Sequence, residues 1–263
     1  MWVDLPIEQV DKRKVAQYID WLLDRRIHPK TINCHLTAMR KFYDYLSDEQ
    51  ACVKAENPVK QGSCLRTPKP LPRSLKDDEV DLFLDTVHKP RDRALFMVML
   101  RSGLRVSEVA NLTFPDIDFR RGRILVREGK GRKDRVAYMS QDALKALVDY
   151  LKCRPSSKSK HVFLVGKGPY RGQPLSVRGI QKRMEYYARK SRLRVSSHQL
   201  RHTMATQMLN AGADLATIQD LLGHRSIITT QRYCKVSNVR VQQDYYRAMD
   251  RLTERTGGKV PAR

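Results

Sequence analysis

The stretch from 57 to 76 constrains the fold of this 263-residue chain more than any other segment. It contains four prolines, and three of them, Pro68, Pro70 and Pro72, stand at alternate positions. Because proline removes a backbone donor and fixes φ, this spacing favours an extended strap over a helix. The stretch also holds five basic residues and no acidic residue. A positively charged strap of this kind is suited to lying along a nucleic-acid backbone.

The strap divides the chain into three predicted parts. We expect a helical domain at 1–57, a basic linker at 58–75 and a second, larger domain at 76–263. A chain of this length is sufficient for two modest domains or one large one.

The charge balance indicates a polyanionic partner. The chain has 51 basic and 28 acidic residues, a net charge of +23, which is typical of proteins that bind nucleic acid. A membrane role is disfavoured, since the sequence has no signal peptide, acylation motif or long apolar run. The five cysteines are an odd number without C-x-x-C spacing, so neither a disulfide framework nor a zinc knuckle is indicated. A reducing cytoplasm fits this pattern best.

Two amphipathic helices are predicted upstream of the strap, within residues 11–50. Pro29 suits the first turn of the second helix. Lys30, Arg40 and Lys41 fall off the apolar stripe of that helix, and two interpretations remain open. They form either a solvated face or an edge that faces DNA phosphates.

Downstream of the strap the pattern is mainly helical, with one small antiparallel β-meander. A helix at about Asp92–Arg101 stops at Gly103, and three strands follow, at Asp116–Phe119, Ile124–Arg127 and Arg135–Met139. Later helices are predicted to end at Gly212 and Gly223, and a last amphipathic helix at about 241–253.

Two short segments near the end of the chain contain the residue types suited to catalysis. The first is His198-Gln199-Leu200-Arg201-His202, and the second is Leu222-Gly223-His224, with Tyr233 nine residues on. Together they supply the groups needed to attack a phosphodiester without a metal, namely a phenol, a guanidinium and imidazoles. The spacing of three predicts that His198 and Arg201 share one helix face.

A metal site is the competing interpretation, because His198 and His202 are four residues apart. The zinc-protease pattern requires a glutamate after the first histidine, and this chain has Gln199 there. We therefore expect no metal and no cofactor.

Two cations upstream complete the set. Arg105 follows the helix stop at Gly103, and Glu108 is placed to hold its guanidinium. Lys130, in a glycine-flanked turn, is a candidate proton donor to a leaving alkoxide. It is alternatively an ordinary exposed turn lysine, and Lys133 competes for the same role.

These residues resemble the tyrosine recombinase (phage-integrase) family, most closely its Xer-like members. The resemblance covers about Val10 to Val236 and is strongest in four segments: Gly103–Leu112, Gly129–Arg135, His198–Gly212 and Leu221–Tyr233. It implies a catalytic set made of Arg105, Lys130, His198, Arg201, His224 and Tyr233.

The resemblance also implies a fold and a mechanism. The expected fold is a two-lobed clamp around duplex DNA, with a helical core-binding domain and a mixed α/β catalytic domain. Tyr233 would form a 3′-phosphotyrosyl link, and strands would then be exchanged through a Holliday junction without ATP or metal. Each site would be a pair of inverted repeats bound by a dimer, with a tetramer in the synapse. Residues 241–253 would contact a neighbouring protomer, or else fold back on their own core.

For DNA contacts beyond the catalytic set we expect six basic side chains: Lys30, Arg40, Lys41, Lys69, Lys133 and Arg178. The resemblance further implies a nucleoid-associated protein of a prokaryote or a mobile element.

One departure from the family concerns the N-terminus, where members usually have another helix before the segment starting near Asp11. Either the natural clamp is shorter or the segment has been trimmed. The sequence also leaves two other functions open. One is a type IB topoisomerase that nicks and reseals DNA, and the other is a DNA-binding relative that does not cut.

Overall fold

The structure is a computed structural model that describes residues 6–48, 57–67, 73–127 and 134–223, together with Met249. Its contacts divide the chain into two compact units, Met1–Pro70 and Leu71–Arg263, here called the N-terminal and C-terminal units.

Two helices form the described core of the N-terminal unit, α1 at Lys12–Asp24 and α2 at Pro29–Asp48. The side chain of Asp11 caps α1 by accepting a hydrogen bond of 2.8 Å from the backbone N–H of Lys14. The apolar stripes of the two helices pack together through buried residues that include Val15 and Leu36. The pair of helices predicted within residues 11–50 is confirmed.

The first part of the predicted linker packs on these helices. Val59 is 2% exposed and belongs to the same core. The Asn33 side chain donates to the carbonyl oxygen of Leu65 at 2.9 Å and accepts from its N–H at 2.8 Å. Residues 58–67, predicted as linker, therefore lie within the N-terminal unit, because Val59 and Leu65 complete its apolar core. The alternating prolines, and Lys69 with them, lie outside the described residues.

The described part of the C-terminal unit is mainly helical and carries one small sheet, as predicted. Its described helices are α3 Asp77–Asp85, α4 Pro90–Ser102, α5 Val106–Ala110, α6 Gln141–Lys152, α7 Val177–Lys190, α8 Ser197–Asn210 and α9 Leu215–Leu222. Its described strands are β1 Ile117–Asp118, β2 Arg123–Val126 and β3 Arg135–Tyr138.

Helix α4 is the centre of this unit. The side chains from Ala94 to Leu100 are all buried, and the helix packs against α6 and α8. A helix that is apolar all round can be stable only in such a position. It ends at Gly103, which adopts a left-handed φ of 62°.

The sheet is an antiparallel meander in the order β1-β2-β3. Ile124 pairs with Ala137, and both are buried, whereas Val126 pairs with Arg135 at the end of the ladder. The chain therefore leaves the sheet at Val126, and after the segment that contains Lys130 it returns to the sheet at Arg135. Residues 128–133 of that segment lie outside the described part of the chain.

Helices α8 and α9 end at glycines with positive φ, as predicted. Gly212 has φ 91° and Gly223 has φ 60°. Asp214 caps α9 by accepting from the N–H of Ala216 at 2.9 Å. The predicted helix at 241–253 lies outside the described residues.

Candidate active site

The Arg105 guanidinium is held by a carboxylate one helical turn away. Arg105 immediately precedes α5, and Glu108 lies in the first turn of that helix. The Arg105 backbone N–H donates to Glu108 Oε2 at 2.7 Å, and Arg105 Nη1 donates to Oε1 at 2.7 Å. This local contact agrees with the sequence prediction for Glu108.

A second arginine binds the same carboxylate from the far side. Arg135, the first residue of β3, donates from Nη1 to Glu108 Oε1 at 2.9 Å and from Nη2 to Oε2 at 2.7 Å. Its Nε donates to the carbonyl oxygen of Leu221 at 3.0 Å. Each of the three Arg135 nitrogens is therefore engaged with the protein. Only 9% of its side chain is exposed.

Sequence reasoning did not single out Arg135, although one signal was available. Side chains alternate along a strand, so Arg135 lies on the same face as the buried Ala137. A charged residue on the core face of a strand must be paired, because an unpaired buried charge is costly. That requirement marks Arg135 as part of a charge network.

The pKa of Glu108 is lowered from 4.5 to about 2. Burial by itself would raise this pKa, but it is outweighed by the hydrogen bonds from Arg135 and Arg105 and by the charge of Arg135. Glu108 is therefore a carboxylate at any working pH and serves as an anchor for cations.

Arg201 reaches the same region from α8. It is 5% exposed, and its Nη1 and Nη2 donate to the carbonyl oxygens of Gly103 and Leu222, respectively. His198, one turn earlier, is exposed. The two residues predicted to share one helix face thus differ sharply in burial, because α8 begins at the surface and enters the core within its first turn.

The three arginines converge on the carboxyl end of α9. The carbonyl oxygens of Leu221 and Leu222 accept from Arg135 and Arg201, and Arg105 Nη2 lies 3.5 Å from the carbonyl oxygen of Gly223. The last carbonyls of a helix lack partners within the helix and carry the negative end of its dipole, so guanidinium groups stabilise them. Arg105, Arg135 and Arg201 are called the arginine cluster below.

Two glycines permit this close approach. A β-carbon at Gly103 would lie 2.9 Å from Leu222 Cδ2, and one at Gly223 would lie 2.9 Å from Arg135 Cδ. Both glycines also have left-handed φ, which disfavours other residues.

The decisive comparison is with protein families. Residues 73–240 match the phage integrase family, and residues 3–50 match the N-terminal SAM-like domain of phage integrases. The tyrosine recombinase XerA of Pyrococcus horikoshii is 35% identical over 214 residues, which cover 81% of this chain and 72% of that protein. XerC of Halalkalibacterium halodurans is 37% identical over 243 residues, covering 88% of this chain and 79% of that protein. The chain belongs to the phage integrase family of tyrosine recombinases. The predicted resemblance is confirmed.

Solved structures of tyrosine recombinases share the fold. A crystal structure of XerA recombinase superposes with a TM-score of 0.61 at 26% identity, covering 94% of this chain and 86% of that one. The Tn1549 transposon integrase, solved in complex with a circular intermediate DNA, has a TM-score of 0.71 at 21% identity and covers 87% of this chain. The predicted fold class is confirmed.

In this tyrosine recombinase, the structure brings together two of the six predicted catalytic residues, Arg105 and Arg201. His198 lies exposed at the start of α8. Three more lie outside the described residues: Lys130, His224 and Tyr233. The chain nevertheless passes directly from the anchored Gly223 to His224.

The predicted DNA-binding residues fall on both units. On α2, Lys30 and Lys41 are exposed and Arg40 is partly buried, while Arg178 is exposed in the first turn of α7. Lys69 and Lys133 lie outside the described residues.

The described residues contain neither a metal-ligand cluster nor a membrane-spanning helix. Within the described ranges, no three histidine, cysteine, aspartate or glutamate residues group together as metal ligands. Within the same ranges, no helix is long and apolar enough to cross a membrane.

Proposed function

We propose that the protein is a site-specific DNA recombinase that cuts and rejoins DNA through a 3′-phosphotyrosyl intermediate. The observation that carries the proposal is the convergence of Arg105 and Arg201 on the end of α9, directly before His224, in a member of the tyrosine recombinase family. Two guanidinium groups fixed before the substrate arrives can stabilise a phosphate in its transition state without reorganisation.

In the proposed cleavage step, the phenolic oxygen of Tyr233 attacks the scissile phosphorus. A bond forms between phosphorus and that oxygen, and the bond to the 5′-oxygen breaks. Arg105 and Arg201 bind the non-bridging oxygens, and arginine is suited to this because it keeps its charge and presents a planar fork to phosphate.

Proton transfers accompany this displacement. His198 accepts the proton of Tyr233, and His224 assists at the phosphate. Lys130, or Lys133 in its place, donates a proton to the leaving 5′-oxygen. The 5′-hydroxyl of a partner strand then reverses the step, so the energy of the phosphodiester bond is retained and neither ATP nor a metal is required.

We further propose how the protein holds DNA. Both units and the basic linker would contact duplex DNA, with phosphate contacts from Lys30, Arg40, Lys41, Lys69, Lys133 and Arg178. The net charge of +23 supports this arrangement. A dimer would occupy each pair of inverted repeats and a tetramer would form in the synapse, with residues 241–253 contacting a neighbouring protomer.

The proposal is tested by trapping the covalent intermediate. DNA that the protein retains from a pool of genomic fragments is rebuilt as a nicked duplex, so that cleavage releases a short fragment and cannot reverse. The protein is incubated with this DNA in EDTA and analysed on a denaturing gel. We expect an adduct with wild-type protein, no adduct with Tyr233→Phe, and a full yield with Tyr170→Phe, because Tyr170 is 66% exposed.

Other outcomes would contradict the proposal at defined points. Absence of an adduct on every retained DNA would favour a binding protein that does not cut. An adduct that persists in Tyr233→Phe would overturn the assignment of the nucleophile. Relaxation of supercoiled plasmids without any strand exchange would identify a topoisomerase instead.

A further inference from the structure

We propose that Arg135 is a positioning residue for strand cleavage, which holds Arg105 and the end of α9 in register with the β2–β3 hairpin. The inference rests on the proposed function, since it assigns a part in the same reaction to a residue outside the predicted catalytic set. Its basis is that Arg135 connects three segments that are distant in sequence, namely β3, the start of α5 and the end of α9.

The contacts of Arg135 differ from those of Arg105, which is proposed to bind phosphate. Its three nitrogens donate to three protein oxygens at 2.7 to 3.0 Å, and its side chain is 9% exposed. The Arg105 side chain is 22% exposed, with a single short side-chain hydrogen bond to Glu108 and a longer one of 3.5 Å to Gly223. Arg105 is thus arranged to meet a substrate, whereas Arg135 is arranged to hold protein groups in place.

Glu108 transmits the effect of Arg135 to Arg105. Its Oε1 accepts from Nη1 of both arginines, and its Oε2 accepts from Arg135 Nη2 and from the Arg105 backbone N–H. These four hydrogen bonds fix the orientation of the carboxylate. Removal of Arg135 takes away two of these donors, so the carboxylate can rotate and carry the Arg105 guanidinium with it.

The second connection leads to the segment that carries His224. Arg135 Nε donates to the carbonyl oxygen of Leu221, only three residues before His224. Helix α9 and β3 are also in direct contact. The loss of this hydrogen bond would leave a carbonyl at the helix end without its donor and loosen the start of the segment that follows.

The third connection is to the hairpin itself. Val126 and Arg135 form the register pair at which the hairpin meets the sheet. Whichever of Lys130 and Lys133 donates the proton, its segment re-enters the fold at Arg135. The same side chain therefore ties the hairpin to the residues proposed to bind phosphate.

Lysine cannot replace arginine in this position. A lysine has the same charge but a single nitrogen, and it cannot pair with both carboxylate oxygens and reach Leu221 on the other side. The Arg135→Lys variant therefore keeps the positive charge and most of the side-chain volume but loses the planar guanidinium group.

The test measures single-turnover cleavage of the nicked DNA at saturating protein, together with DNA affinity and thermal unfolding. The variants are Arg135→Lys, Arg135→Gln, Glu108→Gln and the double variant Glu108→Gln/Arg135→Gln. Arg127→Gln is the matched control, because Arg127 also flanks the hairpin and pairs with a carboxylate, Asp116 at 2.9 Å, but its side chain is 62% exposed.

We expect both Arg135 variants to bind DNA within about twofold of wild type and to cleave roughly 100-fold more slowly, the scale of a displacement of about 1 Å in an active site. Arg127→Gln should cleave at the wild-type rate. Because part of the effect of Arg135 passes through Glu108, the loss of rate in the double variant should be smaller than the product of the losses in its single variants.

Three results would overturn the inference. One is wild-type cleavage by folded Arg135→Lys. Another is a loss of DNA affinity equal to the loss of rate, which would make Arg135 a DNA contact. The third is multiplicative effects of the two substitutions in the double variant. If the wild-type protein itself forms no adduct, the proposed function fails instead, so the two failures are distinguishable.

Discussion

Gly223 lies directly against the side chain of Arg135. A β-carbon at Gly223 would come 2.9 Å from Arg135 Cδ and 3.3 Å from Nε. The glycine therefore does two things at once, since it ends α9 with a φ of 60° and leaves room for the arginine that binds the helix end.

Substitution of Gly223 by alanine should impair both stability and cleavage. The left-handed conformation costs a residue with a β-carbon about 1 kcal/mol, and the new methyl group would also displace Arg135. We expect a lower midpoint of thermal unfolding and slower single-turnover cleavage of nicked DNA.

Gly212→Ala is the matched control for this prediction. Gly212 also follows a helix and has φ 91°, but no described atom lies within 4 Å of its β-carbon position. The Gly212→Ala variant should therefore lose stability through its left-handed backbone but should cleave DNA at the wild-type rate. Equal effects of the two substitutions on cleavage would contradict the role given to the Gly223–Arg135 contact.

The stability of the C-terminal unit should depend on pH through Glu108. The pKa of this group is about 2 in the folded protein and 4.5 ordinarily, so the folded state favours the carboxylate. The contribution is fully present above about pH 4.5 and is lost as the pH falls toward 2. Its size is on the order of 3 kcal/mol. Urea unfolding of wild type and Glu108→Gln should differ at pH 7, and the difference should shrink at pH 3. If the difference in unfolding free energy between the two proteins were the same at pH 7 and pH 3, the ionised carboxylate would not be the source of that difference.

Among the described acidic residues away from the arginine cluster, Asp92 should be the most sensitive for stability. It is 0% exposed and accepts hydrogen bonds from Arg91 at 2.7 Å, Arg183 at 2.9 Å and Tyr187 at 3.1 Å, which join α4 to α7. Asp92→Ala would leave two guanidinium groups without their carboxylate, and we expect a loss of about 3 to 5 kcal/mol in the free energy of unfolding.

Asp149→Ala provides the comparison. Asp149 pairs with Lys152 at 2.8 Å, but both side chains are largely exposed. The expected loss is small, because an ion pair between exposed side chains contributes little to stability. If chemical denaturation gave similar losses for the two variants, the buried network would not have the importance assigned to it.

DNA binding should weaken steeply with salt. The logarithm of the affinity should fall with the logarithm of salt concentration by about 0.9 per phosphate contacted. Arg178→Gln should reduce that slope by about 1 and weaken binding to all sequences alike, because a phosphate contact carries no base information. Lys152→Gln, on α6, should leave the slope unchanged. Titrations of labelled duplex at several salt concentrations measure both variants, and an unchanged slope in Arg178→Gln would remove Arg178 from the phosphate contacts.

Much of the fold was predictable from local patterns. The helix ends at Gly103, Gly212 and Gly223 were anticipated because glycine adopts positive φ without steric cost, a property of the residue itself. The contact between Arg105 and Glu108 was anticipated for the same kind of reason, since residues three apart at a helix start lie on one face and opposite charges there attract.

Other features depended on packing between distant segments. The extent of the N-terminal unit was underestimated, because the prolines of the strap indicated a linker while Val59 and Leu65 were required by the core of α1 and α2. The role of Arg135 was missed for a related reason, since its partners lie 27 and 86 residues away.

The sequence by itself determined the family, the mainly helical pattern with one β-meander, and the residue types available to act on a phosphodiester. Those properties follow from the spacing of residues along the chain. Only the tertiary structure decided that Arg201 is buried while His198 is exposed, and that three arginines share the last carbonyls of α9. A charged group buried by folding must find its partners among whatever groups the packing brings near. For the arginine cluster those groups are one carboxylate and the carbonyls at Gly103 and the end of one helix, from elements far apart in sequence.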